Sequence, residues 1–420
     1  MASVHHLPNG VRVVCDPIPG LETSALCVVA GRGARFEDPA RNGWSHLLEH
    51  MVFKGAGGRS AMAIVEAIEA QGGQINAATG YERTSFQVRC LADGLALGAA
   101  GLADLVLSPK LDGQDLAREK QVVGQEIAEA ADTPDDLVFE MAQTAAYGDQ
   151  PLGRSILGTV QSIETADPAS LAQWRASLYD PAALVISAAG AVDEAELLDL
   201  AHRHFAMATG PDGPVTAVDA EFVGGAEVAT KPLEQANLVF LLPTVGVGSP
   251  DYFALRLFAE ILGGGMASRL FQEAREKRGL AYAVDAYSET YADQGVLGVF
   301  AGCAAKDAAE LAKVAAAQIA GLGDSVTPAE LARAKAQIKG AMFMMRESPL
   351  ARAEQTAAQL LLFERPLPPA EIAAGIEAVT LADLARLGGD LCASRRAAVS
   401  VLGPRQAAGA AKAFTDTLFG

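Results

Sequence analysis

The sequence contains no run of 18 apolar residues, so we expect no segment of it to cross a membrane as a helix. Residues 1–8 lack a basic stretch followed by an apolar one, and they do not form a secretory signal as they stand. Aromatic residues are also scarce, at 6% of the chain. These absences favour a cytoplasmic protein over a membrane-spanning or secreted one.

Cysteine is scarce as well, and its spacing excludes two kinds of site. The five cysteines are odd in number, scattered, and never arranged as C-x-x-C: Cys15, Cys27, Cys90, Cys303 and Cys392. Such spacing does not suit a disulfide framework or a thiolate metal site. We expect these residues to be reduced and to lie in the core.

Positive charge is the third feature that the chain has little of. Its 33 Lys and Arg face 51 Asp and Glu, which gives a formal net charge of −18. This balance argues against nucleic acid as a partner, because binding to phosphates requires Lys and Arg. The negative charge can steer cationic peptides into a cavity, or it can simply keep the protein soluble. Both interpretations stay open.

Length and composition indicate the general class of protein. With 420 residues, the chain is long enough for two or more domains and a large core. Half of the residues are hydrophobic, with a heavy contribution from alanine and glycine. This composition favours a soluble, helix-rich globular protein.

Residues 46–50 are the most informative feature that is present. If residues 43–53 form a helix, His46 and His50 lie one turn apart on one face and can bind one metal ion together. Glu49 projects close to that face, where a carboxylate can take a proton from a zinc-bound water. The order H-x-x-E-H is the inverted form of the H-E-x-x-H zinc-protease motif. Two histidines at this spacing by chance are the alternative, disfavoured because the chain has only six histidines.

A catalytic zinc ion needs a third protein ligand, with the fourth position left for water. Glu119 and Glu126 are seven residues apart, about two helical turns, so they share a helix face. Val122 and Val123 between them suit a helix that is buried on part of its surface. Alone, the two glutamates would indicate a solvated helix face. Beside the histidine motif, they are the best candidates to complete the site.

With these residues, the chain resembles the pitrilysin-type (inverzincin) metallopeptidases, in particular the group that includes mitochondrial processing peptidase and its bacterial relatives. That family has H-x-x-E-H, followed some seventy to eighty residues later by two glutamates seven apart. Here Glu119 and Glu126 lie 69 and 76 residues beyond His50, and the resemblance runs nearly end to end. It implies that His46, His50 and Glu126 bind one Zn²⁺ per chain. Glu49 would be the general base, and Glu119 would orient a ligand.

A diluted internal repeat relates the two halves of the chain at an offset of 207 residues. Residues 66–72 resemble residues 273–279, and the glycine-rich residues 55–58 fall on residues 262–265. In each half, two helices separated by a glycine turn lead to a glycine stop and two β-type runs. We expect these strands near 75–79 and 84–91 in the first half, and near 282–287 and 295–303 in the second.

The metal motif is not repeated. At the same offset, the three motif positions of the second half hold residues that cannot form a zinc site: Phe253, Arg256 and Leu257. One half of the chain is therefore equipped for catalysis, and the other is not.

These features predict an α+β protein with two homologous domains, each a mixed, mainly antiparallel sheet covered by helices. Residues 1–208 would form the catalytic zinc-binding domain, and residues 209–218 the linker. Residues 219–420 would form an inactive domain that contributes substrate-binding residues. The family resemblance implies that the two domains face each other as a clamshell around a chamber; periodicity alone gives only the domain class.

Two further matches to the family concern substrate binding. Residues 76–79, with Asn76 and Ala77, resemble its N-A-x-T strand, which pairs with an extended peptide through unpaired N–H and C=O groups. Arg275 and Tyr282 match an arginine and a tyrosine that the family directs at the scissile carbonyl and the bound peptide. Without the zinc motif, an ordinary sheet strand closed by a turn would explain residues 76–79. For Arg275 and Tyr282, the alternative is a helix end with basic residues and a core tyrosine.

Acidic residues follow Glu126 in the sequence. In processing peptidases, carboxylates on this part of the chain bind an arginine upstream of the cleavage point. Asp136 and Glu140, four apart on a helix, can form such a fork for a guanidinium group. A solvated helix start with residues 133–136 as its cap explains them equally well.

We therefore predict a zinc metalloendopeptidase that hydrolyses short or unfolded polypeptides held extended between its domains, without a covalent acyl-enzyme. The expected assembly is a homodimer, or a heterodimer with a related subunit. One alternative is a non-catalytic core or scaffold subunit of the same fold, against which the intact metal motif argues. Another is a maturation protease dedicated to one small precursor peptide.

Overall fold

The computed structural model describes residues 2–210 and 215–420, so residues 211–214 of the predicted linker lie outside the described residues. The strands are β1 (Ser3–His6), β2 (Arg12–Pro17), β3 (Thr23–Ala30), β4 (Gly55–Ala56), β5 (Arg59–Ser60), β6 (Gln74–Thr79), β7 (Thr84–Leu91), β8 (Leu184–Gly190), β9 (Gly225–Thr230), β10 (Ala236–Val245), β11 (Ala281–Thr290), β12 (Gln294–Cys303) and β13 (Ala398–Gly403). The α-helices are α1 (Trp44–Val52), α2 (Ala61–Glu69), α3 (Leu95–Leu107), α4 (Gly113–Asp132), α5 (Pro134–Tyr147), α6 (Val160–Glu164), α7 (Pro168–Leu178), α8 (Glu194–Phe205), α9 (Tyr252–Gly263), α10 (Ala308–Ser325), α11 (Pro328–Met345), α12 (Pro349–Phe363), α13 (Pro369–Ala378), α14 (Leu381–Ala393) and α15 (Ala410–Phe419).

The chain folds into two compact units, each assembled from segments of both halves of the sequence. Unit 1 contains Met1–Ala128, Ser155–Val218 and Phe343–Pro368. Unit 2 contains Glu129–Arg154, Asp219–Met342 and Pro369–Gly420.

Unit 1 is built on a six-stranded sheet in the order β1-β2-β8-β3-β7-β6, in which only β2 and β8 are parallel. The central strand β3 is buried on both faces because helices cover both sides of the sheet. Leu26 and Val28 point into the larger core with helix α1, whereas Cys27 and Val29 pack with α12 on the other side. The side chains of this strand point alternately to its two faces and therefore contribute to two separate cores.

Unit 2 repeats this architecture with a five-stranded sheet in the order β11-β12-β10-β13-β9. Going from β11 to β9, the first three strand pairs are antiparallel and the last is parallel. The strand pairs from β6 to β2 in unit 1 follow the same order. The predicted α+β class with mixed, mainly antiparallel sheets is confirmed, as are the four predicted strands. The glycine stops before β6 and β11 also correspond, since Gly72 and Gly279 have φ of +69° and +63°.

The units differ from the predicted domain ranges in two places. Helix α5 comes from the first half but packs on β10, β13 and β9 of unit 2, where the Ser400 hydroxyl donates to the Val138 carbonyl at 2.7 Å. Helix α12 comes from the second half but packs on β2, β3 and β8 of unit 1. There Arg352 Nε donates to the buried Asp16 Oδ2 at 2.8 Å. Each half thus supplies a helix to the other half's sheet, an exchange that periodicity cannot detect.

Two expectations from composition can be compared with the structure. None of the described helices is long and apolar enough to cross a membrane. All five cysteines are free, and only Cys392 among them is not buried.

Residues 1–208 produced alone should not reach a stable fold, because they lack helix α12. Val14, Cys27, Val29 and Val185 would lose the side chains that cover them. Exposure of such side chains costs about 1.5–3 kcal/mol each. We expect a broad thermal transition by circular dichroism and strong binding of an apolar dye.

The matched control for this experiment is the same fragment extended by residues 343–368 through a flexible linker. It should melt cooperatively and bind little dye. A sharp transition in the shorter fragment, equal to that of the extended one, would show that α12 is dispensable for this sheet.

Candidate functional site

Helix α1 presents the predicted metal motif. Its Leu47, Leu48, Met51 and Val52 are fully buried in the core of unit 1. This anchoring leaves the motif side chains on the remaining, half-buried face of the helix. The core side of α1 therefore determines where the metal motif faces.

Helix α4 brings the third candidate ligand to α1. Glu126 Oε2 lies 3.7 Å from His46 Nε2 and 3.4 Å from His50 Nε2. The candidate ligand atoms of the three residues all lie within 4.8 Å of one another. The fold therefore brings together the three residues predicted to bind the metal.

The chemistry of this group fits a zinc ion. Glu126 Oε2 is buried and has no hydrogen-bond partner among the described residues, a costly state unless a cation or water occupies the space beside it. Burial, with a smaller effect from His50, lowers the pKa of His46 to about 4, so its imidazole is neutral at physiological pH. Neutral imidazole is the form that binds metal. Two imidazoles and one carboxylate leave the open fourth position of a catalytic site.

Glu49 lies on the same face and is held by the end of strand β6. Thr79 Oγ1 donates to Glu49 Oε2 at 2.5 Å. Burial raises the pKa of Glu49, and the hydrogen bonds from Thr79 oppose this rise. A carboxylate with a raised pKa is better matched to proton transfer near neutral pH. The position of Thr79 could not be anticipated from the motif alone.

Glu119 contacts His50 at the ring nitrogen Nδ1. Its Oε2 lies 3.1 Å from His50 Nδ1, and its Oε1 lies 2.8 Å from Lys54 Nζ. A hydrogen bond to Nδ1 orients the ring so that Nε2 faces Glu126. Lys54 was not among the predicted site residues. Its position four residues after His50, one helical turn, is the signal that would have suggested it.

The predicted substrate strand is an edge strand of unit 1. Among the described strands, β6 pairs only with β7, so the backbone groups on its outer side have no strand partner there. Asn76 is exposed on it, whereas Ala77 is buried at 8% exposure. A groove of about 690 Å³ lies beside the strand and includes Phe53 and Val65 in its lining. An extended peptide can add to such an edge.

Arg275 and Tyr282 lie in unit 2 in two irregular pieces of backbone. Arg275 is in the π-helical segment Phe271–Lys277, with its guanidinium group 4.8 Å from the centre of the Phe271 ring. Tyr282 stands at a register shift in β11, between Ala281 and Ala283, and is 60% exposed. The alternative of a packed core tyrosine does not fit this exposure. Such irregularities often re-aim side chains at functional sites.

Asp136 and Glu140 lie one turn apart on helix α5. Asp136 is exposed and Glu140 is half-buried. Because α5 packs on the sheet of unit 2, Asp136 and Glu140 belong to that unit and not to the unit that holds the metal motif. The predicted range of residues 1–208 had placed them in the same domain as the motif.

Two family models match most of the chain. The model described as Insulinase (Peptidase family M16) matches residues 12–160. The model described as Peptidase M16 inactive domain matches residues 165–338. The first match includes the H-x-x-E-H segment and Glu126, and the second includes Arg275 and Tyr282.

Individual proteins resemble the chain over nearly its whole length. A protein of Rickettsia bellii described as an uncharacterized zinc protease is 34% identical over 408 residues, 97% of this chain and 98% of the relative. YmxG of Bacillus subtilis, described in the same words, is 34% identical over 379 residues, 89% of this chain and 91% of the relative.

Two solved structures share the fold at 20% sequence identity. A protease from Helicobacter pylori has a TM-score of 0.89 over 96% of this chain and 99% of its own. A chain of Complex III2 from Candida albicans has a TM-score of 0.86 over 100% of both chains.

The low pKa of His46 makes the stability of the metal-free protein depend on pH. Between pH 6.5 and pH 4 the unfolded chain binds more protons at this position than the folded chain. The stabilisation is therefore complete above pH 6.5 and is lost as the pH falls toward 4. The loss should be roughly 3 kcal/mol.

Urea unfolding with a chelator present, at pH 7 and pH 4, measures this effect. His46→Gln should reduce the pH dependence, whereas His202→Gln, a change at an exposed histidine, should leave it intact. Equal pH dependence in the wild type and His46→Gln would contradict the assigned burial effect.

Proposed function

This chain belongs to the insulinase family of peptidases, M16, and on that premise we propose that it is a zinc-dependent endopeptidase. Its substrates are short or unfolded polypeptides. One observation carries the proposal: His46, His50 and Glu126 converge on one point, with Glu49 beside them on the same helix face.

The residues of unit 1 would have different roles in the reaction. His46, His50 and Glu126 would hold the ion, which supplies Lewis acidity to the substrate carbonyl and to water. Glu49 accepts a proton from the attacking water and passes it to the leaving amine. Thr79 fixes one Glu49 oxygen, so the other oxygen is left for proton transfer. No covalent acyl-enzyme is needed.

Strand β6 supports the preference for unfolded substrates. Recognition through its outer N–H and C=O groups requires a peptide segment that is already extended. A folded protein rarely offers such a segment, because its strands are paired. Asn76 and Ala77 would bind the substrate backbone, while the adjacent groove would accept side chains.

We further propose roles for the predicted residues of unit 2. Arg275 and Tyr282 would bind the peptide and stabilise negative charge on its carbonyl oxygen. The π-helical turn and the strand irregularity that present them support this role. Asp136 and Glu140 would bind a substrate guanidinium group. The proposed assembly is a dimer, with a second copy or a related subunit.

A scaffold role is the weaker candidate. The Candida albicans chain shows that this fold occurs in Complex III2, but at 20% identity the similarity concerns the fold alone. An intact set of two histidines and two glutamates favours metal binding and catalysis, as does a buried Glu126 oxygen that has no hydrogen-bond partner in the described part of the chain.

Substitutions in the motif should separate metal binding from proton transfer. Glu49→Gln should retain zinc but lose about 10²–10⁴-fold in kcat, because the ligands remain while the base is lost. Glu126→Ala should lose zinc and activity together. Metal content by mass spectrometry and cleavage of a fluorogenic peptide are the two measurements.

Glu66→Gln serves as the control, since Glu66 is an exposed glutamate of helix α2. It should keep both zinc and activity. Loss of zinc in Glu49→Gln, together with full metal content and activity in Glu126→Ala, would reverse the assignment of base and ligand.

Substitutions in unit 2 should affect turnover without affecting the metal. Arg275→Ala and Tyr282→Phe should each lower kcat/KM by about a hundredfold to a thousandfold, the usual cost of losing an oxyanion donor. Zinc content and melting temperature should stay near wild type. Steady-state kinetics and thermal unfolding measure both.

The neighbouring Arg278 provides a matched control, because it pairs on the surface with Glu273 and Glu310. Arg278→Ala should leave kcat/KM nearly unchanged. Wild-type kinetics in both Arg275→Ala and Tyr282→Phe would remove these residues from the proposed mechanism.

A further inference from the structure

We propose that Glu37 is a positioning residue of the metal centre: its buried carboxylate caps the start of helix α1 and so fixes where His46 and His50 present their nitrogens. The proposal rests on the proposed function, because its main consequence is for zinc binding. Neither the H-x-x-E-H motif nor the glutamate pair points to Glu37.

The contacts of Glu37 are those of a helix cap. Its Oε2 accepts from the Gly43 amide at 2.8 Å, and its Oε1 accepts from the Ser45 amide at 2.7 Å. Asn42 Nδ2 adds a longer contact to Oε2 at 3.4 Å. Amide groups at the start of a helix have no partner within the helix, so this carboxylate satisfies two of them. Its negative charge is also favourable at a helix N-terminus.

Helix α1 cannot supply its own cap. The capping position holds Gly43 at φ +86°, with no side chain to accept a hydrogen bond. A Cβ atom there would lie 2.5 Å from the Leu157 carbonyl oxygen and 2.7 Å from Gly158 Cα. Close backbone packing therefore excludes Ser, Thr, Asp and Asn, the usual capping residues. The cap has to come from elsewhere in the chain.

The other α-helices of unit 1 that have a side-chain cap use the residue at the capping position itself. These residues are Ser60, Asp112, Thr159, Asp167, Asp193 and Ser348. Helix α1, which carries the metal motif, instead uses a residue six positions before its glycine. Glu37 is only 3% exposed, so its carboxylate is committed to this contact.

The cap is close enough to the ligands to matter for metal binding. Ser45, whose amide Glu37 holds, directly precedes His46. Its hydroxyl accepts from Trp174 Nε1 at 3.3 Å, so this residue is fixed at both its amide and its side chain. Helix α1 has only nine residues, a length that is not stable alone. If its first turn opened, His46 would move away from His50 and Glu126.

Zinc affinity and amide exchange of the metal-free protein test the proposal. At pH 8, above the pKa of about 7 to which burial raises Glu37, Glu37→Gln should weaken zinc binding about 10–100-fold. The amide has the shape of the carboxylate but only one oxygen to accept from two N–H groups. Hydrogen exchange of peptides covering residues 43–53 should become faster, while exchange in the rest of unit 1 should not.

The matched control is Asp38→Asn. Asp38 also caps a short helical turn, accepting from the amides of Ala40 and Arg41, but that turn carries no metal ligand. This variant should bind zinc with wild-type affinity, measured by competition with a chromophoric chelator. The melting temperature of each variant is measured as well. A variant that is only less stable overall would have a lower melting temperature but no selective loss of zinc affinity.

If Glu37→Gln does not fold, Glu37→Asp decides the question with the same two measurements. Its side chain is one methylene shorter and cannot reach both amides. Wild-type zinc affinity and unchanged exchange in residues 43–53 would overturn the proposal. A wild-type protein that binds no zinc would instead overturn the proposed function, and the exchange measurement would still test the cap.

Discussion

Helix α1 fills the core with one face, while its other face places two imidazoles beside a carboxylate from α4. The helix is short, and a glycine starts it because backbone from residues 157 and 158 leaves no room for a side chain. Its position is therefore maintained by neighbours: apolar packing below, Glu37 at its start and Lys54 with Glu119 beyond its end. The geometry of the candidate metal site depends on this anchoring, since metal binding tolerates only small displacements of its ligands.

The polar groups around α1 also show how a buried site avoids unpaired charge. Glu119 contacts both His50 and Lys54, so its carboxylate is matched by a cation and oriented by a ring nitrogen. Glu49 is held by Thr79 from the edge strand. The exceptions are Glu126 Oε2, which lies near both imidazoles, and His46 Nδ1; both are buried without a hydrogen-bond partner among the described residues. A buried carboxylate oxygen beside two imidazoles, which bind metal in their neutral form, is a suitable ligand for a cation.

The duplicated sheets show how one architecture has been used for two purposes. Both sheets have the same sequence of antiparallel and parallel pairs, and each ends in an edge strand preceded by a glycine with positive φ. In unit 1 this edge is regular and carries Asn76. In unit 2 the corresponding edge carries an extra residue, Tyr282, which the irregular pairing leaves largely exposed. The repeat preserved the framework, while local irregularities distinguish the two edges.

Features that depend on local spacing can be predicted from the amino-acid sequence. Residues 46–50 on one helix face, the glutamates seven apart, the β-type runs and the missing motif in the second half can all be inferred without coordinates, because helix and strand periods are fixed by backbone geometry. Resemblance to a family added Arg275 and Tyr282. The exchange of α5 and α12 between the sheets is visible only in the folded chain, since an amphipathic helix does not specify which apolar surface it covers. The same holds for Glu37, Lys54 and Thr79: their roles depend on side-chain contacts between segments distant in sequence or on a cap that crosses a turn, and neither leaves a periodic pattern.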